Sequence, residues 1–194
     1  MNTNKIRFYI LALLATLSLT ANAQSADKLY QEGKTFYDAK NYVQAFPKLK
    51  AAADKGNKKA QYRLARCYDK GKGTAENNDL AFQWYMKSAN QGYAKAQHQL
   101  AKCYFKGKGV AADKVLAKKW LTKAVRNEKG GKEILDELKK EKDKIKPEDD
   151  VVLGAMTSDF ADIGVDVFVS VNGELYAAPD TIQELEKIYN EQYR

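Results

Sequence analysis

"AQYRLARCYDKGKG" fills residues 60–73 and "AQHQLAKCYFKGKG" fills residues 96–109, so one phrase is written twice, 36 positions apart. Extending the match, 56–91 against 92–127 gives 17 identities in 36. They include Gly56/Gly92, Leu64/Leu100, Cys67/Cys103, Gly71/Gly107, Gly73/Gly109, Ala81/Ala117 and Trp84/Trp120. A fixed period of this size marks supersecondary units, each unable to bury its apolar face alone. Ala60, Leu64, Cys67 and Tyr68 fall on one face of a helix, and Gly71 and Gly73 stop it. Asn78 or Asp79 is placed to cap a second helix carrying Ala81, Trp84, Tyr85 and Ala89, which Gln91-Gly92 closes. Each unit therefore reads as an antiparallel helix pair.

A looser copy precedes these two. "LYQEGKTFYDAKNYVQAFPKLKAAADKG" puts Gly33 and Phe36 where Ala65 and Tyr68 recur, and Ala45 where Ala81 recurs. Pro47 falls inside its second helix and removes a backbone donor, predicting a kink or a late helix start. Units are placed at about 27–55, 56–91 and 92–127. A final capping helix is placed at 131–146, through Ile134, Leu135, Leu138 and Ile145.

Residues 45–126 resemble the Sel-1-like repeat, a relative of the tetratricopeptide repeat, through the "AQ..LA..Y..GKG" phrase and the 36-residue period. The first copy is similar to a plain tetratricopeptide unit, so the resemblance runs from residue 27 to about 126. It implies an all-α fold, an α/α superhelical solenoid with a concave groove lined by the first helix of each pair. It also implies an adaptor or scaffold role, in bacteria frequently outside the cytoplasm. By the tetratricopeptide pattern the groove residues are Tyr30, Lys34, Tyr37, Lys59, Tyr62, Arg66, Lys95, His98, Lys102 and Phe105. Asp69 falls in the same row. Such a groove is basic and aromatic, which suits an extended acidic peptide.

The two ends of the chain differ from this body. Residues 1–23 read as a secretory signal: Lys5 and Arg7, then "FYILALLATLSL", then Ala21-Asn22-Ala23 before Gln24. The 12-residue apolar core is shorter than the roughly 20 residues of a spanning helix. Removal of this segment leaves 24–194 as an exported protein, periplasmic or at the cell exterior, with no transmembrane segment. Residues 24–146 carry 29 Lys/Arg against 14 Asp/Glu, whereas 147–194 carry 2 against 11. The acidic end contains alternating "VDVFVSV" and "ELYAAP" around Asn172-Gly173, a hairpin signal. A helix over "DTIQELEKIYNEQYR" follows, with Asp180 or Thr181 as its cap, while 151–164 reads equally as helix or loop. Opposite charge lets this end dock on the repeats, as a cap or in the groove; the rival reading is a small independent module whose edge strand takes a partner.

Catalytic chemistry finds little footing. His98 is the single histidine, and its helix position, equivalent to Tyr62, reads as exposed. No nucleophile elbow, phosphate loop or metal-ligand spacing is present, so neither enzyme activity, metal nor cofactor is expected. Cys67 and Cys103 repeat with the period on the inward stripe and read as free core thiols. Equivalent positions on packed helices lie about 8–10 Å apart, beyond the roughly 7 Å that a disulfide allows. Cysteine-rich family members with β-lactam chemistry carry two cysteines in each repeat, a framework this chain lacks. Trp84 and Trp120 read as packing residues. An outward stripe of Lys59, Arg63, Arg66 and Lys70, then Lys95, Gln99, Lys102 and Lys106, is either a solvated face or a partner surface. By analogy with the cysteine-rich relatives alone, a cell-wall-associated enzyme or β-lactam-binding protein is the alternative to the adaptor reading, and general polyanion binding is the third, with nucleic acid disfavoured by export and by the acidic end.

Overall fold

Glycine spacing sets where the helices stop. The computed structural model describes residues 24–142, 151–152, 168–171, 174–177 and 179–193. In chain order these form α1 (24–38), α2 (Tyr42–Asp54), α3 (Lys58–Asp69), α4 (Asn78–Asn90), α5 (Ala94–Lys106), α6 (Lys114–Val125) and α7 (Gly131–Lys142). Three short strands follow, β1 (Val151–Val152), β2 (Phe168–Val171) and β3 (Glu174–Ala177), and then α8 (Pro179–Tyr193). The fold class is all-α, helix pairs in series. The signal-like residues 1–23, the end of the capping helix at 143–146 and the ambiguous 153–164 lie outside the described residues.

The repeated phrase becomes a repeated set of hydrogen bonds. Past α3, the Lys72 amide donates to the Cys67 carbonyl at 2.8 Å; past α5, Lys108 donates to Cys103 at 2.9 Å. Asn77 N–H reaches the Tyr68 carbonyl at 2.9 Å and Asp113 N–H reaches Tyr104 at 2.8 Å. Their side chains then cap the next helix: Asn77 Oδ1 accepts from Leu80 N–H at 2.9 Å, and Asp113 Oδ1 from Leu116 N–H at 2.8 Å. The cap of α4 is thus Asn77, one residue before the two the sequence suggested. Gln61 and Gln97 each donate from Nε2 across eight residues, to the Ala53 and Ala89 carbonyls, both at 3.2 Å. That amide ties the start of one pair to the last turn of the helix before it, which explains why the phrase begins "AQ".

The chain divides into two compact units, Met1–Lys87 and Ser88–Arg194, with α4 running across the division. In the first unit α2 packs on α3, and Leu49, Leu64, Cys67, Tyr30 and Tyr37 share one apolar cluster with several alanines. Gly33 permits the close approach of α1 to α2, because a Cβ there would lie 2.9 Å from Leu49 Cγ. Gly73 has φ +72°, and a Cβ there would run into the Tyr42 carbonyl, so this turn requires glycine twice over. Pro47 sits inside α2 without delaying it: the helix starts at Tyr42 with Asn41 as cap. Pro47 is exposed, and the carbonyl it cannot bond belongs to Val43, itself 77% exposed, so water serves that group.

In the second unit α5 packs on α6, α7 lies against both, and α8 lies against α6 and α7. Leu100, Leu121, Val125, Ile134 and Leu138 are fully buried there, together with Ile182 and Leu185 from α8. The strands form an antiparallel sheet in the order β1-β2-β3, with Val171 opposite Glu174 and Phe168 opposite Ala177. β3 touches α7. α8 begins at Pro179, ahead of Asp180 and Thr181, and proline suits a first helical position.

Candidate functional site

The first helices α1, α3 and α5 carry the residues of interest, and burial sorts them. In the first unit Tyr30 and Tyr37 are 6% and 7% exposed, so they form the floor of the face rather than its lining. The cations of α3 cover them. Arg63 places its guanidinium carbon 4.9 Å from the Tyr37 ring centre and Nη1 3.1 Å from Asp38 Oδ1. Asp38 also takes Lys34 Nζ at 2.6 Å, and that bond, with Arg63, holds its carboxyl below the usual range. Arg66, half-buried, lies 6.0 Å over Tyr62, whose ring tilts against Tyr85 at 6.0 Å. Lys59 is exposed.

A member of this cluster that the sequence reading did not single out is Lys72. It stands between Gly71 and Gly73, and its amine lies 4.7 Å from the Tyr42 ring centre and 5.3 Å from that of Tyr37. Tyr42 meets Tyr37 edge-on at 5.2 Å. The signal was present in the glycine turn, read there only as a helix stop. A lysine anchored by its own backbone bond to Cys67 is a positioned cation.

The second unit departs from this pattern. Lys95 Nζ is paired with Glu133 of α7 at 2.7 Å. His98 is 1% exposed, not an exposed helix position. Burial, with Lys102 adding repulsion, pushes its pKa down to about 3, and its Nε2 has no hydrogen bond among the described residues. Lys102 and Phe105 are half-buried, with Lys114 Nζ 5.9 Å from the Phe105 ring centre. The face of the first unit is therefore cationic over tyrosine, and the corresponding face of the second is largely engaged within its own unit.

The remaining candidates are structural. Cys67 and Cys103 are buried thiols that form no disulfide, and burial pushes the Cys67 thiol up to about 11. Trp84 and Trp120 are half-buried, each beneath a lysine, Lys87 at 4.0 Å and Lys123 at 4.3 Å. Among the described residues no group of three or more His, Cys, Asp or Glu side chains is placed to hold a metal ion. No described helix is long and apolar enough to cross a membrane.

Comparison with known proteins matches the Sel1 repeat model to residues 58–93 and 94–128. No curated protein matches the chain. Among solved structures, a Sel1 repeat protein from Oxalobacter formigenes is 34% identical over 63% of this chain and 98% of its own, with a TM-score of 0.49. The protective antigen c5321 of uropathogenic Escherichia coli, which displays an SLR fold, is 22% identical over 86% of this chain, with a TM-score of 0.52. This chain covers 29% of that antigen's length. Cysteine rich protein B of Helicobacter pylori is 21% identical over 57% of this chain and 89% of its own, with a TM-score of 0.45.

Proposed function

Because the chain belongs to the Sel1-repeat family, carrying two such repeats over residues 58–128, we propose that it is an exported adaptor. Its first-helix face holds a segment of a protein partner, and it performs no catalysis. The observation that carries this reading is the row of cations over tyrosines in the first unit: Arg63 on Tyr37, Arg66 on Tyr62, Lys72 on Tyr42. Rigid rings beneath charged groups provide contact area at low entropic cost, with cations to orient an acidic strand. The signal-like residues 1–23 support export, to the periplasm or the cell exterior.

The acidic end supports a capping role in preference to occupation of that face. Glu184 pairs with Lys118 of α6 at 3.0 Å, and Glu186 with Lys139 of α7 at 2.6 Å. The Tyr193 hydroxyl donates to the Arg126 carbonyl at 2.6 Å.

Affinity capture from a cell-envelope extract tests the reading. The comparison is between the wild-type chain and a folded Lys59→Glu/Arg66→Glu/Lys95→Glu/Lys102→Glu variant. A discrete protein retained by the first and lost by the second is the expected result. Equal retention by both would place binding elsewhere.

A further inference from the structure

We infer that Gln24, once residues 1–23 are removed, closes on its own amino group as a pyroglutamate and leaves the mature chain without a terminal positive charge. The inference rests on the export reading and names a modification of the exported chain. Ala21-Asn22-Ala23 precedes Gln24, so a cut there frees the amine of a glutamine. That amine attacks the Cδ of its own side chain, the bond from Cδ to Nε2 breaks, and ammonia leaves. The product is a five-membered lactam, formed with neither an oxidant nor a second substrate. Asparagine, one methylene shorter, would have to close a strained four-membered ring and stays open.

The fold leaves this residue within reach. Gln24 and Ser25 are exposed, and Ala26 and Tyr30 are the first buried side chains of α1 among the described residues. Asp27 Oδ1 accepts from Asn57 Nδ2 at 2.6 Å, which ties this turn of α1 to the residue that caps α3. Gln24 therefore stands on a fixed turn but outside the core, open to a cyclising enzyme. Helix geometry also favours the closed form. The first four amides of a helix have no carbonyl partner within it, so ring closure at a newly exposed Gln24 takes no hydrogen bond from α1. A free ammonium in that position opposes the helix dipole and lies one turn from exposed Lys28. The neutral lactam removes both repulsions.

The test is mass spectrometry of the amino-terminal peptide of the full chain, expressed with its own residues 1–23 and purified from its own cells and their medium. Amines of the intact protein are acetylated before digestion, so a free terminus is labelled and cannot cyclise in the tube. The expected peptide begins at Gln24, carries no acetyl group on its terminal nitrogen and is lighter than the open form by one ammonia. Pyroglutamyl aminopeptidase should then expose Ser25 as the first residue. Gln24→Asn should be cut at the same bond and take the label. A wild-type chain that begins at Gln24 and is acetylated there overturns the inference and leaves export standing. So does a chain cut cleanly at a different bond. A chain that still carries residues 1–23 removes the export reading and this inference together.

Discussion

His98 and Cys67 are single residues whose environment controls their chemistry. His98 titrates near 6.5 when free and near 3 when folded, because burial excludes the charged form. Between those values the unfolded chain binds a proton that the folded chain refuses. The folded state therefore has its full stability above about pH 6.5 and loses it progressively as pH falls toward 3. Replacing the ring removes that pH dependence. The gap between His98→Leu and wild type should move in favour of the variant by about 2–3 kcal/mol between pH 7 and pH 4. Denaturant midpoints at a series of pH values measure it, and parallel curves would count against the buried neutral ring. For Cys67, a thiol pushed up to about 11 holds little thiolate near neutrality. Native protein at about pH 8 should leave both buried thiols unmodified by an aromatic disulfide reagent, with two equivalents reacting after denaturation. Rapid native reaction would contradict the packing. Sequence placed both cysteines correctly through their periodicity. It misplaced His98, which is buried where its repeat equivalent Tyr62 is only half-buried, so the two positions are not environmentally alike.

Elements in this chain are defined by their ends. Asn77 and Asp113 perform one task at equivalent positions, so Asn77→Ala and Asp113→Ala should each cost about 1 kcal/mol, and by similar amounts. Lys40 closes α1 with φ 61°, a left-handed conformation carried by a side chain. Lys40→Gly should therefore stabilise the protein by about 1 kcal/mol, whereas Gly73→Ala should destabilise it, being both left-handed and closed by the Tyr42 carbonyl. Thermal denaturation of the two variants checks the opposite signs. Helix positions and glycine stops were legible because 3.6-residue periodicity and left-handed turns leave marks in sequence. The cap of α4 was read one or two residues late, although its equivalence to Asp113 was available. Pro47 misled for a different reason: solvent can serve the freed Val43 carbonyl, and only three-dimensional exposure reveals that.

For the molecule as a whole, the phrase repeated after 36 residues made the fold class readable, while charge imbalance alone could not say where the acidic end lies. In the second unit α8 meets α6 and α7 through two half-buried ion pairs and through buried Ile182 and Leu185. Ion pairs of that kind contribute about 0–1 kcal/mol each, and truncating a buried leucine removes more, about 2–5 kcal/mol. Leu185→Ala should accordingly release the α8 amides to hydrogen exchange, while Glu184→Gln/Glu186→Gln should leave most of their protection intact. The cations and tyrosines of the proposed face were legible as residue types, but not in their distribution. Tyr30 and Tyr37 lie beneath it, Lys72 joins it from a turn, and Lys95 is already paired with Glu133. The most direct measurement is a hydrogen-exchange footprint of a captured partner on the wild-type chain. Protection confined to α1, α3 and the Gly71–Gly73 turn is the predicted outcome. Protection on α4 and α6, with α1 and α3 unchanged, would contradict the assignment of the first-helix face as the binding surface.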